Sequence, residues 1–312
     1  MKRLFILASA AIVALASCSK TQVVYNDAPE EIGFKTVTGA MTKVADGTQM
    51  PETMGVIAYK GNEQYFPNTS YSNKTTYWGA TSNEEKRYWP VDGDLTFTVY
   101  APFSSTAMDY DNAEKTLEFT ADNSTVGSQI DWLYGENQPT GNKEAYGATN
   151  MPVQLNHALT QIVINFSANA ADLVTLTSVS LNNTNQIGTG TITYPDATPS
   201  WTQTDNGSDM QLLALNSSVA LTTSPTEYVC LVIPTTALDT EEIHFTYKLA
   251  GSNVDLPYTI TNTQLGNTWT YGKRYIYNVS IGAAEIMIDP TVTAWDANTD
   301  GNAGDDHKDI NI

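Results

Sequence analysis

Several runs of this chain alternate apolar and polar residues with a period of two, and no long stretch has apolar residues spaced three and four apart. Leu95, Phe97 and Val99 fall on one side of a strand, with Thr96, Thr98 and Tyr100 on the other. Ile162, Ile164 and Phe166 alternate with Val163 and Asn165, and Phe245, Tyr247 and Leu249 with Thr246 and Lys248. Tyr275, Tyr277, Val279 and Ile281 form a fourth set, and Ile286, Ile288, Pro290, Val292 and Ala294 a fifth. Successive side chains of a strand point to opposite faces, so the pattern predicts half-buried strands. Clusters of Gly, Asn and Asp separate the runs, which is the profile of an all-β sandwich or barrel. Pro290 has no N–H to give to a ladder, so the last strand is expected at a sheet edge, or bent there.

The amino end reads as an export signal. Lys2 and Arg3 precede an apolar run from Leu4 to Ala16, followed by Leu15-Ala16-Ser17-Cys18. A charged start, a short apolar core and small residues at the cut describe a secretory leader. The run is short for a membrane span, which takes roughly 20 apolar residues. The Leu-Ala-Ser-Cys ending resembles the lipobox of bacterial lipoproteins, which implies residues 1–17 as the leader and Cys18 as the lipidated first residue. Two acyl chains on Cys18 would hold the protein at a membrane without a spanning helix. Cys230 is the only other cysteine. It lies in Tyr228-Val229-Cys230-Leu231-Val232-Ile233, apolar on both faces, and is expected to be a buried packing residue in the middle of a core.

The formal charge is −19, and loss of Lys2 and Arg3 with the leader takes it to −21. So acidic a surface argues against nucleic acid and against charge-driven binding to anionic lipid. Contact with a membrane is expected only through the lipid. The polar, turn-rich stretch from Gly135 to Lys143 suggests a domain boundary near Asn150.

Chemistry-bearing constellations are sparse. His157, His244 and His307 each lack a second His or Cys at ligand spacing, so no cofactor is expected. Glu84-Glu85 and Glu241-Glu242 are adjacent in sequence and would point to opposite faces of a strand, which reads as solvated surface. A glycosidase pair assembled from distant strands stays open. Asp296, Asn298 and Asp300 with Gly301 match the start of a calcium loop, but its twelfth position is His307 and no helices flank it, so they are a weak candidate. Trp78, Trp89, Trp132 and Trp201 are expected in packing, with a sugar-binding face as the alternative.

Several ordered runs together resemble the fimbrillin family of type V pili from Bacteroidales. They are Met54-Gly55-Val56-Ile57-Ala58-Tyr59, Arg87-Tyr88-Trp89-Pro90, Leu95 to Pro102, Asp131-Trp132-Leu133-Tyr134, Leu155-Asn156-His157-Ala158-Leu159 and Leu231-Val232-Ile233-Pro234. Trp269, Gly272 to Tyr277 and Val292-Thr293-Ala294-Trp295 complete the set. The resemblance implies two tandem transthyretin-like β-sandwiches, placed here at 44–150 and 151–295. It also implies a structural pilin and no enzyme, carried to the outer membrane and cell surface and built into an adhesive fimbrium.

In such a family a trypsin-like surface protease removes the lipidated segment with its first strand, and a carboxy-terminal strand of another subunit fills the groove. Mapped here, the propeptide is 18–43, cut between Lys43 and Val44, with Lys35 as second choice. The displaced strand would run from Ile32 to Met41. The donor strands would lie in 274–295, with Tyr275, Tyr277, Val279, Ile281, Ile286, Ile288 and Val292 as the inserting side chains. Residues 296–312 are expected to be an acidic flexible tail. The partners implied are other fimbrillin subunits in a head-to-tail polymer and the protease. The sequence names no adhesion receptor. The competing expectation is an outer-membrane glycan-binding lipoprotein.

Overall fold

The computed structural model describes residues 29–36, 51–171, 173–204, 207–214, 216–282 and 285–295. Cys18, Lys43, Val44, Asp296, Asn298 and Asp300 lie outside them, as do residues 37–41 of the expected displaced strand. The architecture is all-β. Before residue 150 the strands are β1 (Phe34–Thr36), β2 (Thr53–Lys60), β3 (Glu63–Asn73), β4 (Trp78–Ala80), β5 (Leu95–Ala101), β6 (Met108–Asp111), β7 (Thr116–Asp122), β8 (Leu133–Gly135) and β9 (Thr140–Gly141). After it come β10 (Met151–Val153), β11 (Leu155–His157), β12 (Thr160–Ala168), β13 (Val174–Thr184), β14 (Ile187–Thr193), β15 (Thr198–Gln203) and β16 (Ser208–Gln211). The last are β17 (Val219–Ala220), β18 (Thr226–Val232), β19 (Glu242–Leu249), β20 (Leu256–Ile260), β21 (Lys273–Ile281) and β22 (Ile286–Ala294). Among the described residues, each of the two α-helical turns is four residues long. Among the described residues no helix is long and apolar enough to cross a membrane.

Two sheets of the carboxy-terminal half face each other as a sandwich. One has the order β18-β12-β21-β22, the other β16-β13-β19-β20 with β17 beside β13. Ile162, Ile164 and Phe166 of the first meet Leu176, Leu181 and Phe245 of the second in one buried cluster. The aromatic contact at its centre is edge-on, Phe166 to Phe245 at 5.0 Å, the arrangement that ring quadrupoles favour.

The amino-terminal half is a larger sheet in the order β10-β1-β4-β3-β2-β5-β8-β11, with β9 on β5. Its two end strands are separated only by Gln154, so the sheet curls round a single core of Ile32, Phe34, Val56, Tyr71, Trp78, Phe97 and Val99. A fourth sheet, β15-β14-β7-β6, closes over the outside of β5 and β8. A third core fills that junction, with Tyr100, Phe119, Trp132, Tyr194, Leu231 and Trp295.

Three features differ from the pattern expected of the sequence. β5 is buried on both faces beyond Thr96, because Thr98 and Tyr100 point into the junction. β18 lies between two cores rather than in the middle of one, at an edge of its sheet. It is apolar on both faces because it separates two cores: Cys230 and Val232 enter the sandwich, Leu231 and Ile233 the junction. Strand pairing also crosses residue 150. β1 pairs with β10, β8 with β11, and β7 with β14 over its whole length. A cut at residue 150 therefore divides sheets instead of separating them. Pro290 sits on an edge strand, since among the described residues β22 pairs only with β21.

Candidate functional site

The site is built from the two ends of the described chain. At the amino end, residues 30–36 thread between two neighbours. On one side the Ile32 N–H donates to Arg87 O at 2.8 Å, Trp89 N–H donates to Glu30 O at 3.0 Å, and Phe34 pairs with Trp78 of β4. On the other, β1 runs parallel to β10, pairing Phe34 with Met151, Lys35 with Pro152 and Thr36 with Val153. Ile32 and Phe34 are fully buried. The Phe34 ring stands edge-on to both Tyr71 and Phe97 at 5.2 Å. Burial of two such side chains contributes about 1.5–3 kcal/mol each. Lys35 is exposed but lies inside the strand.

The seat beneath β1 is apolar and closed to water. Its floor includes Tyr71, whose hydroxyl is pushed well above the usual phenol range by burial. Removing β1 would leave an open groove between β4 and β10. Among the described residues β10 would then have no strand beside it, because β1 is its only partner there.

At the carboxy end the expected inserting residues fall into three groups. Tyr275, Tyr277, Val279 and Ile281 of β21 are buried in the sandwich core. β21 is internal, parallel to β12 over eight residues and antiparallel to β22 over nine. Tyr277 is tied further: its hydroxyl accepts from Trp269 Nε1 at 2.9 Å and donates to Leu265 O at 2.7 Å. Ile286 and Ile288 of β22 are half-buried against the same core. Val292 is 42% exposed and, on the opposite face, Met287 56%. β22 can leave by breaking one ladder. β21 cannot leave without breaking two and opening the core.

A model of the fimbrillin-like family matches residues 40–295. The chain belongs to that family. No curated protein matches it. Solved structures similar to this fimbrillin-like chain include a candidate cell adhesion protein from Bacteroides uniformis, 17% identical, with a TM-score of 0.59 over 85% of this chain and 98% of that one. A fimbrial protein from Bacteroides vulgatus is 19% identical, with a TM-score of 0.50 over 85% and 99% of the two chains. A candidate cell adhesion protein from Bacteroides ovatus is 16% identical, with a TM-score of 0.55 over 86% and 98%. At these identities the likeness is one of fold.

The side chains singled out for other chemistry are placed otherwise in the fimbrillin-like chain. Trp78, Trp89 and Trp132 are buried, and Trp201 packs edge-on to Phe119 while donating Nε1–H to Ala158 O. None of these four rings forms an exposed sugar platform. Glu241 is buried rather than solvated, because its Oε2 accepts from the N–H groups of Asp239 and Thr240. Glu242 instead pairs with His244 at 2.6 Å on the surface. Among the described residues no three His, Cys, Asp or Glu side chains gather to hold a metal.

Cys230 is fully buried, and burial pushes its thiol up to about 12. The thiolate is the reactive form. In the native protein Cys230 is therefore expected to react with iodoacetamide at pH 8 at least about a thousandfold more slowly than an open thiol, and at the ordinary rate once the protein is unfolded. Labelling in the native state at near the unfolded rate would contradict its burial.

One group escaped the sequence reading. His157 is buried, and its Nδ1 is 2.9 Å from Oδ1 of the buried Asp131. The Trp295 indole stacks on the same imidazole, with centroids 3.5 Å apart and planes at 14°. Burial raises the Asp131 carboxyl, with His157 opposing the shift. The three residues come from three of the runs that carry the family resemblance, which was the available signal.

Proposed function

We infer that this chain is a structural subunit of a surface pilus. It is exported as a lipoprotein through Cys18, trimmed by a trypsin-like protease after Lys43, and joined to its neighbours by strand exchange. Membership of the fimbrillin-like family supports the pilus role. The observation that carries the exchange is the seat of β1. The segment from Ile32 to Thr36, with Ile32 and Phe34 fully buried, closes an apolar core, and its backbone neighbours on both sides would be left unpaired without it. Unpaired backbone over an apolar floor is a template for an added strand. β22 is an edge strand of matching character, and a head-to-tail contact that does not close builds a filament. Lys35 lies opposite Pro152 within β1, so a protease reaches it only after the strand opens. That favours Lys43 as the cut. The adhesive pilus then places the mature subunit at the cell surface.

Limited trypsin treatment of the full chain tests this. The expected product has lost the peptide up to Lys43 and forms a ladder of oligomers on a gel. A trimmed product that stays monomeric, and is instead retarded in a gel containing polysaccharide, would replace the pilin with a glycan-binding lipoprotein.

A further inference from the structure

Taking strand exchange as this subunit's mode of assembly, we propose that Asp131, His157 and Trp295 form a latch on β22 that the trimming of β1 opens. β22 is held along its length by a single ladder and by half-buried side chains. Its end is held differently. Trp295 follows directly on Ala294, its N–H donates to Gly272 O at 3.0 Å, and its ring is buried in the junction core. That is not the core on which Ile286 and Ile288 rest. β22 cannot swing away until the indole leaves the imidazole of His157.

Among the described residues, His157 Nε2, Asp131 Oδ2 and Trp295 Nε1 are all buried without a hydrogen-bond partner. Buried polar atoms left unpaired oppose the folding that buries them, and native proteins keep few of them. Three in one stack mark a contact that aromatic packing holds closed and that desolvation pushes open.

His157 also sits at the end of a lever. Residues 151–157 form β10 and β11 in one run, interrupted only by Gln154. At its start, Met151 to Val153 pair with β1 and with no other strand among the described residues. At its finish, His157 pairs with Leu133 of β8 and carries Trp295. Loss of β1 therefore releases one end of the run that positions the imidazole at the other. A single cut opens the acceptor groove and frees the donor strand of the same subunit. Subunits that have not been cut do neither, and so stay monomeric on the way to the surface.

Hydrogen exchange read by mass spectrometry on the full chain tests the latch, before trypsin and in the first minute after it, at a dilution where only monomer is present. Amides of 286–294 are expected to exchange at least about tenfold faster after trimming, with β12 unchanged as the internal standard. His157→Ala should give the fast rate without trimming. If that variant misfolds, which β12 would report, Trp295→Ala removes the latch from the strand end and leaves β11 intact. The latch is overturned if trimming leaves 286–294 as protected as before while ladders still form, or if both variants keep the wild-type rate. Those results would leave strand exchange standing. Rapid exchange of 286–294 after trimming with no polymer at any concentration would support the latch and remove strand exchange instead.

Discussion

Phe34→Ala is expected to lower the unfolding free energy of the untrimmed chain by about 3–5 kcal/mol, the range for deleting a large aromatic side chain from a core. The side chain is fully buried, and it makes two edge-on ring contacts, to Tyr71 and Phe97. The seat is poorly able to collapse around the gap. Trp78, Tyr71 and Phe97 are held by three different strands, each paired on both sides, and rigid walls keep the cavity open. The measurement is the denaturant midpoint at unchanged slope, since a change in slope would report an altered denatured state instead. A loss under about 1 kcal/mol would mean that β1 contributes little to the fold. The same change weakens the hold on β1 without touching β22, so the variant should also yield its amino-terminal peptide to trypsin faster than the wild type.

Where the sequence was legible, it was legible through local geometry. The alternation of Tyr275, Tyr277, Val279 and Ile281 is reproduced residue by residue in the burial of β21. Pro290 placed β22 at an edge because a missing N–H is a property of one residue. Pairing is different. Nothing near β7 or β14 announces that Thr116 to Asp122 will lie against Ile187 to Thr193. That choice is made by the third core, which draws Phe119 and Ile192 together with Tyr100 and Leu231, and those residues are remote in sequence. The two-sided burial of β18 was visible as an apolar run, but whether such a run lies inside one core or between two depends on packing partners. The His157 stack was hidden for the same reason. Asp131, His157 and Trp295 carry no spacing rule, and only the fold brings them within reach of one another.

Ile288→Asp is expected to stop trimmed subunits from polymerising while leaving them folded. In the subunit itself the residue is half-buried on an edge strand, where a substitution costs about 0.5–3 kcal/mol. In the proposed exchange it would enter a neighbour's groove, at the seats where Ile32 and Phe34 are fully buried. Those seats are two residues apart, as are Ile286 and Ile288. A carboxylate forced into one of them must be protonated or left unpaired, and a penalty near 3 kcal/mol already slows net growth on the order of a hundredfold. Mixed with wild type, the variant should cap growing chains, because it can accept a strand but not give one. Ladders growing at the wild-type rate would show that β22 is not the strand exchanged. In the proposed exchange β22 would give up its ladder to β21 and a shallow apolar surface, and would gain a groove with unpaired backbone on both sides and two deep seats.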